Sequence, residues 1–276
     1  MAATDLDSYN LRFLTQEAFN LKYKKLKLVG TGGMSSVYAY EDQDSGREVA
    51  IKELRISKKW TTNDAAVVRG TISEYECLQK LEAIEDIPEV YDLFVIENPS
   101  YYGLYLVLEL IKSSGEGQIT NLEEYVDTQK LNWAFLQRLC FWLLSTIPAI
   151  HDFQVVHRDL LLMNILIDEK DNFHLIDFGE SFDLSPEARI QVPAQLSESH
   201  ARLSRDPEGK APGGQPIDWK KRDIYDVGLL LKYLFGVLRD DWEEKYTNFL
   251  DELLNPDPAL RADSQRLIEL RKLFVF

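Results

Sequence analysis

The chain has 276 residues, of which 45% are hydrophobic and 28% charged, a globular composition that excludes disordered and fibrous classes of protein. Its length exceeds the usual size of a single core, about 250 residues, and predicts one large or two closely joined lobes. The 31 Lys and Arg against 46 Asp and Glu give a formal net charge of -15, which disfavours nucleic acid and anionic membranes as partners.

The first half of the chain predicts a sheet interrupted by one helix. Residues 23–56 alternate apolar and polar side chains at the period of β-strands, with a turn at 42–46. Residues 66–82 change to helical spacing, and strands resume at 90–96 and 102–111. Before this sheet, residues 1–22 form an extension whose apolar side chains we expect to pack on a lobe, with binding to a partner as the alternative; these are Leu11, Phe13, Leu14 and Phe19.

The second half predicts mainly helices. An apolar stripe at helical spacing runs over 133–150, and further helices are predicted at 224–238, 242–254 and 264–274. Two short strands at 165–167 and 173–176 form a predicted hairpin. Residues 177–220 keep no such pattern, and a loop of that length in a compact domain is usually functional.

A glycine-rich turn joins the first two predicted strands, and it contains Gly30, Thr31, Gly32 and Gly33. Because glycine has no Cβ, backbone N–H groups there can approach phosphate oxygens, and the turn suits a nucleotide lid. Such a turn alone is more often only a turn. The interpretation depends on Val37, which can cover an apolar ring, and on Lys52, which arrives on the next strand facing the lid.

Lys52 needs an anion to fix its side chain if it is to pair with phosphates. Glu74 begins a run with Leu78 and Leu81 that forms the inner face of the following helix. Glu76 would rotate away from that face. The sequence therefore predicts that Lys52 pairs with Glu74 rather than with Glu76.

A second candidate group consists of Asp159, Asn164 and Asp177. Phosphoryl transfer needs a carboxylate at the nucleophile's hydroxyl and oxygen ligands for Mg²⁺ bridging the phosphates. Asp159, preceded by His157 and Arg158, fits the first role, and Asn164 and Asp177 fit the second. The predicted hairpin would hold these side chains on rigid elements facing one cleft.

With these segments the chain resembles the eukaryotic-type (Hanks-type) Ser/Thr protein kinases over residues 23 to about 270, and its lid resembles that of bacterial members. The resemblance implies an α+β, bilobal fold with the nucleotide between the lobes. An N-lobe of antiparallel sheet plus one helix is expected over 23–110. A mainly helical C-lobe is expected over 111–276, with the activation segment at 177–208.

The resemblance also assigns residues around the nucleotide. Leu108 takes the gatekeeper position, and Glu109 to Ile111 take that of the hinge that hydrogen-bonds adenine. The implied adenine sandwich consists of Val29, Val37, Ala50 and Leu166. An internal spine is implied for Leu78, Leu93, His157 and Phe178, anchored by Asp223, and Arg261 is expected to pair with Glu208.

Leu161 is the main departure from the family pattern. Ser/Thr kinases place a lysine there, two residues after the catalytic aspartate, and Met163 replaces an acidic residue that many kinases use for basic peptides. Arg158 could receive a phosphate on a serine of the activation segment, ordering it through charge-assisted hydrogen bonds. The candidates are Ser181, Ser185, Ser197, Ser199 and Ser204.

The leading hypothesis is a protein kinase that uses ATP and Mg²⁺ to phosphorylate Ser/Thr hydroxyls of a protein substrate, possibly itself. Asp159 is the expected base, Asn164 and Asp177 the metal ligands, and Lys52, paired with Glu74, the phosphate ligand. A pseudokinase scaffold that binds nucleotide and a small-molecule kinase of related fold are the alternatives.

A cytoplasmic location is expected from the cysteines and the N-terminus. Cys77 and Cys140 are far apart in apolar helical patterns, which favours buried free thiols over a disulfide. Asp5 and Asp7 stand where a secretory signal would be basic and then apolar, and no apolar stretch is expected to approach the ~20 residues of a membrane span.

Overall fold

A computed structural model describes residues 5–31, 35–112, 120–128, 131–188, 217–238 and 244–275 of the chain. The chain divides into two compact units. The first consists of Met1–Ile119 and Ile167–Gly179, and the second of Thr120–Leu166 and Glu180–Phe276.

The first unit is built on a six-stranded sheet. Its strands are β1 (Arg12–Phe13), β2 (Tyr23–Thr31), β3 (Ser35–Asp42), β4 (Glu48–Ser57), β5 (Val90–Glu97) and β6 (Tyr101–Glu109). They lie in the order β1-β5-β6-β4-β3-β2, with β1 parallel to β5 and every other pair antiparallel. The predicted antiparallel sheet is confirmed, and β1 extends it by one strand that the sequence did not indicate.

Helix α2 (Thr62–Lys80) packs on this sheet beside β4, β5 and β6. It begins four residues before the predicted start at 66, because Thr61 and Asp64 form a reciprocal capping box. Its inner face buries Val68, Ile72 and Leu78 completely or nearly so. The single helix expected among the strands is therefore present.

The N-terminal residues pack on the sheet through helix α1 (Gln16–Lys22), which Thr15 caps. Phe19 is buried in an aromatic cluster whose other rings belong to Tyr23, Tyr40, Phe94 and Tyr105, with centroids 5.1 to 5.9 Å from the Phe19 ring. Leu14 packs against the same cluster, whereas Phe13 is 46% exposed. Phe13 nevertheless packs edge-on against Tyr102 of β6, with ring centroids 6.5 Å apart. The expected packing of this extension is therefore confirmed for Phe19, Leu14 and Phe13.

The second unit is mainly helical, as predicted. Its helices are α3 (Leu122–Thr128), α4 (Trp133–Asp152), α5 (Trp219–Leu238), α6 (Glu244–Leu253) and α7 (Ser264–Leu270), followed by a 3-10 turn at Arg271–Phe274. Helix α4 forms the core of the unit and contacts α5, α7 and that turn. Helix α5 begins five residues before the predicted 224, because the Asp218 side chain accepts a hydrogen bond from Lys221 N–H at its first turn.

The described residues also contain five strands of two or three residues each. In the second unit β8 (Val155–Val156) pairs antiparallel with β11 (Phe182–Asp183). The remaining strands are β7 (Thr120–Asn121), β9 (Ile165–Ile167) and β10 (Phe173–Leu175). Strands β9 and β10 lie where the sequence predicts the two strands of a hairpin. In the turn that follows β9, the Asp168 carboxylate accepts hydrogen bonds from the N–H groups of Lys170 and Asn172.

Helix α4 is long and apolar enough to cross a membrane by length and composition, and 61% of its most apolar window is buried inside the protein. The expectation that no apolar stretch approaches such a length is therefore wrong for residues 133–152. A core helix satisfies the same criteria. Cys77 and Cys140 are both buried thiols rather than members of a disulfide, as predicted.

Candidate active site

Lys52 and Glu74 form the predicted ion pair in the first unit. Lys52 lies on β4, and its Nζ is 2.9 and 3.0 Å from the two carboxylate oxygens of Glu74 on α2. Glu74 is 2% exposed, whereas Glu76 is only partly buried. The helical face that the leucines define therefore selects the partner of Lys52 correctly.

Asp177 joins this pair. Its Oδ1 accepts a hydrogen bond from Lys52 Nζ at 2.8 Å, and its backbone has a φ of 61°. Gly179 makes the approach possible, because a Cβ there would lie 3.2 Å from Asp177 Oδ1 and 3.5 Å from Lys52 Nζ. A Cβ at Gly70 on α2 would likewise lie 3.2 Å from the Gly179 oxygen, so α2 and residues 177–179 pack closely.

The cluster of Lys52, Glu74 and Asp177 contains one cationic and two acidic side chains. Burial alone would lower the pKa of Lys52, but the carboxylates of Glu74 and Asp177 raise it above its ordinary value, so Lys52 stays protonated. Burial raises the pKa of Glu74, and the Lys52 ammonium opposes that effect. With both carboxylates ionised the cluster carries one net negative charge, and the Asp177 side chain, 47% exposed, can face a cation.

The sheet register brings four predicted nucleotide residues to one face. Val37 is the partner of Lys52 across β3 and β4, and Ala50 is the partner of Leu108 across β4 and β6. Side chains of directly opposed residues, and those two apart on one strand, lie on the same face. The face that carries Lys52 is therefore also lined by apolar side chains suited to a flat ring.

The other predicted nucleotide residues lie at several places. Val29, Gly30 and Thr31 belong to β2, and Gly30 and Thr31 pair with Val37 and Ser36 of β3. Gly32 and Gly33 lie outside the described residues. Glu109 ends β6, its N–H donating to the Glu89 oxygen at 2.8 Å, and Ile111 follows, 6% exposed. Leu166 belongs to the second unit and is 9% exposed.

In the second unit Asp159 and Asn164 lie in contact. A 3-10 turn at Leu162–Asn164 brings Asn164 Nδ2 to 2.8 Å from both the backbone oxygen and Oδ2 of Asp159. Asp159 N–H donates to His157 Nδ1 at 3.2 Å. The amide of Asn164 thus fixes the carboxylate of Asp159, and its own oxygen stays an acceptor suited to a hard cation.

Asp223 anchors the loop that carries these residues. It is fully buried on α5 and accepts the backbone N–H groups of His157 and Arg158, each at 2.8 Å, and His151 Nε2 at 3.1 Å. Burial would raise the pKa of Asp223, but these hydrogen bonds and His151 lower it below its ordinary value. These hydrogen bonds agree with the predicted anchoring role of Asp223.

The predicted spine residues are all buried. Leu78, Leu93 and Phe178 belong to the first unit, with exposures of 3%, 8% and 1%, and His157 belongs to the second, with 0%. Arg261 is 2% exposed and donates to the backbone oxygens of Asn255 and Lys221 at 2.9 and 2.7 Å. Its predicted partner Glu208 and the segment 189–208 lie outside the described residues.

Arg158 has a contact environment that the sequence did not indicate. Its Cζ lies 4.4 Å from the ring centroids of both Phe182 and Trp219, and its Nη1 donates to the Glu180 oxygen at 2.9 Å. Its Nε is buried and has no hydrogen-bond partner among the residues that the structure describes, which costs about 1–3 kcal/mol. Two desolvated cation–π contacts of up to about 2 kcal/mol each can offset that cost. Burial lowers the pKa of Arg158.

Leu161 and Met163 are exposed beside Asp159, by 48% and 52%. Leu161 N–H donates to the backbone oxygen of Asp159 at 3.0 Å, so Leu161 belongs to the same short turn as Asp159. No charge is present at either position. The departure from the family pattern is therefore a surface feature and not a buried one.

Phosphotransferases that use ATP rely on such fixed carboxylates, an amide and a lysine to position phosphates, with little covalent chemistry of their own. The model of the protein kinase domain matches residues 23–236, and the chain belongs to that family. The bilobal kinase class predicted from the sequence is therefore confirmed.

Among curated proteins the chain is similar to the serine/threonine-protein kinase PrkC of Bacillus subtilis, with 33% identity over 242 residues, covering 87% of this chain and 34% of PrkC. It is also similar to the mitogen-activated protein kinases sty1 of Schizosaccharomyces pombe, 29% identical over 76% of this chain and 53% of that protein, and hog1 of Aspergillus terreus, 30% identical over 74% and 48%. The chain thus spans about a third to a half of the relatives it matches.

Proposed function

We propose that this chain is a kinase domain that transfers the γ-phosphoryl group of ATP to Ser or Thr hydroxyls of proteins. The observation that carries the proposal is the contact of Lys52 with both Glu74 and Asp177 on the apolar-lined face of the sheet. Similarity to the serine/threonine-protein kinase PrkC supports the choice of hydroxyl acceptors.

Each proposed role follows from the chemistry of the residue. Asp159 accepts the proton of the acceptor hydroxyl, and Asn164 holds that carboxylate in place. Lys52 binds phosphate oxygens, with Glu74 fixing its direction. Val37, Ala50 and Leu108 cover the adenine ring.

Asp177 and Asn164 each offer a donor suited to Mg²⁺. Asp177 offers a half-exposed carboxylate and Asn164 an amide oxygen, both of them ligands that a hard cation prefers. When bound, the metal neutralises charge on the phosphates. A hydrogen bond fixes each of these side chains: Asp177 accepts from Lys52, and Asn164 donates to Asp159.

A nucleotide-binding scaffold without transfer activity is the second candidate, and the exposed Leu161 favours it. The lysine expected there would stabilise charge on the migrating phosphoryl group, and losing one such donor costs about 3–4 kcal/mol. The two candidates agree on nucleotide binding. They differ in whether a phosphorylated product forms.

The deciding experiment follows radiolabelled phosphate from ATP and Mg²⁺ into generic protein acceptors and into the chain itself. The wild type should label an acceptor, and Asp159→Asn should reduce the rate by about 10²–10⁴-fold while nucleotide binding persists. Asp177→Ala should lose transfer, and Asp44→Ala, an exposed aspartate in the β3–β4 turn, should not. Transfer by Asp177→Ala at the wild-type rate would contradict the mechanism, and nucleotide binding with no labelled product would favour the scaffold.

A further inference from the structure

The side chain of Arg158 is held by an aromatic pair, Phe182 and Trp219, whose ring centroids each lie 4.4 Å from its Cζ. Phe182 belongs to β11, which is paired with β8, and Trp219 is the first residue of α5 and 6% exposed. Both rings are therefore fixed by secondary structure of the second unit. The Glu180 carbonyl accepts from Nη1 at 2.9 Å and sets the rotation of the guanidinium.

Arg158 is also the residue through which the aromatic pair can act on the candidate base. Its backbone has a φ of 69°, in the left-handed region that favours glycine, and its N–H donates to Asp223 at 2.8 Å. Asp159 is the next residue. A contact that fixes the Arg158 side chain therefore also restrains the backbone conformation at Asp159.

The serines of this region that the structure describes are already engaged. Ser181 is 1% exposed and its Oγ donates to the His157 oxygen at 3.2 Å, and the Ser185 hydroxyl donates to the Asp183 carboxylate. Neither presents a free hydroxyl next to the guanidinium. Ser197, Ser199 and Ser204 lie outside the described residues.

We propose that Phe182 and Trp219 are positioning residues that hold Asp159 in place through Arg158, without a phosphate on the activation segment. This inference rests on the proposed kinase function for its kinetic readout. It differs from the sequence-based hypothesis that Arg158 receives a phosphoserine. The aromatic faces and the Glu180 carbonyl supply the contacts that a phosphate would otherwise make.

The kinetic test compares Trp219→Leu with Trp142→Leu, which removes another buried indole of the same unit, on α4. In full-length protein treated with phosphatase and shown by mass spectrometry to carry no phosphate, Trp219→Leu should lower kcat at least about tenfold with the KM for ATP unchanged. Trp219→Phe, which keeps an aromatic face, should restore most of kcat. Trp142→Leu should keep the wild-type kcat.

Two results would overturn the proposal. One is a kcat for Trp219→Leu equal to that of Trp142→Leu. The other is a wild type that loses its activity on phosphatase treatment and regains it when phosphorylated, because the aromatic pair would then be insufficient.

Hydrogen exchange separates failure of this inference from failure of the proposed function. If the wild type phosphorylates no acceptor, the kinase proposal fails, but the backbone amides of His157 and Arg158 can still be followed. They should exchange faster in Trp219→Leu than in Trp142→Leu, because their hydrogen bonds to Asp223 would open more often. Equal exchange in the two variants would exclude a positioning role.

Discussion

Leu161 is the residue at which we expect the proposed phosphate transfer to be most easily accelerated. Its side chain is 48% exposed two residues after Asp159, so a longer cationic side chain can be accommodated without disturbing the core. We expect Leu161→Lys to raise kcat at least about tenfold, because one added donor for a developing oxyanion is worth that much or more. Steady-state phosphate transfer to a protein acceptor measures it.

Met163→Lys is the matched control for Leu161→Lys. It introduces the same charge at a similarly exposed position on the same loop, 52% exposed. A general effect of added positive charge would change both variants equally. If neither variant is faster than the wild type, electrostatic stabilisation at position 161 does not limit the rate.

Asp168 ties the turn after β9 by accepting from Lys170 N–H, Asn172 N–H and His174 Nε2. Burial would raise its pKa, but the hydrogen bonds from Asn172, His174 and Lys170 lower it to about 2. Because the folded pKa lies below the unfolded value of about 3.9, the stabilisation is complete above that value and is lost as the pH falls from about 4 to about 2.

Asp168→Asn should remove this pH-dependent stabilisation. Urea titrations at pH 7 should show the variant less stable by about 1 kcal/mol, the usual contribution of such a bond. The difference from wild type should shrink in titrations at successively lower pH. A difference that stays constant down to pH values near 3 would show that the ionised carboxylate is not what holds the turn.

At the scale of elements, α1 is held to the sheet by one buried side chain. Phe19, 5% exposed, contacts four aromatic rings, whereas Phe13 on β1 is 46% exposed. Phe19→Ala should destabilise the protein by about 3–5 kcal/mol, and Phe13→Ala should cost well under half as much. Chemical denaturation of the two variants measures the difference. Equal losses would mean that α1 does not depend on the aromatic cluster.

The elements that carry strong local patterns could be predicted, and those that depend on distant partners could not. Helix α2 and strands β2 to β6 have clear periodicity, and the choice of Glu74 over Glu76 followed from one helical face. Strand β1 has only two residues and is defined by its pairing with β5, about eighty positions away. Helix α1 is short, and its position depends on Phe19 meeting the rings of Tyr40, Phe94 and Tyr105, which lie on three other strands.

The residues of the candidate site likewise include some that a local sequence pattern predicts and others that only the fold brings together. Lys52, Asp159, Asn164 and Asp177 occupy recognisable segments with fixed spacing, so their residue types alone indicated phosphate and metal chemistry. Phe182 and Trp219 stand in no such pattern. Only the fold brings both rings to Arg158, from a two-residue strand and the start of a helix separated by more than thirty positions.

For the whole molecule, the excess of acidic side chains should matter for stability. A formal charge of -15 means that folding brings like charges together, and added salt screens their repulsion over about 10 Å at 0.1 M. We expect the midpoint of thermal unfolding to rise by several degrees as sodium chloride is raised from about 10 to 200 mM. Scanning calorimetry measures it. A falling midpoint would mean that attractive pairs outweigh the repulsion.

The two carboxylates around Lys52 also have a consequence for chemical labelling. Amine-reactive reagents attack only the deprotonated amine, and Glu74 and Asp177 hold Lys52 protonated at a pH where ordinary lysines already supply some free base. Exposed lysines such as Lys24 should therefore acquire an acyl group well before Lys52 does. Replacing Asp177 with asparagine would remove one of the two charges and should bring Lys52 closer to the others in the order of modification.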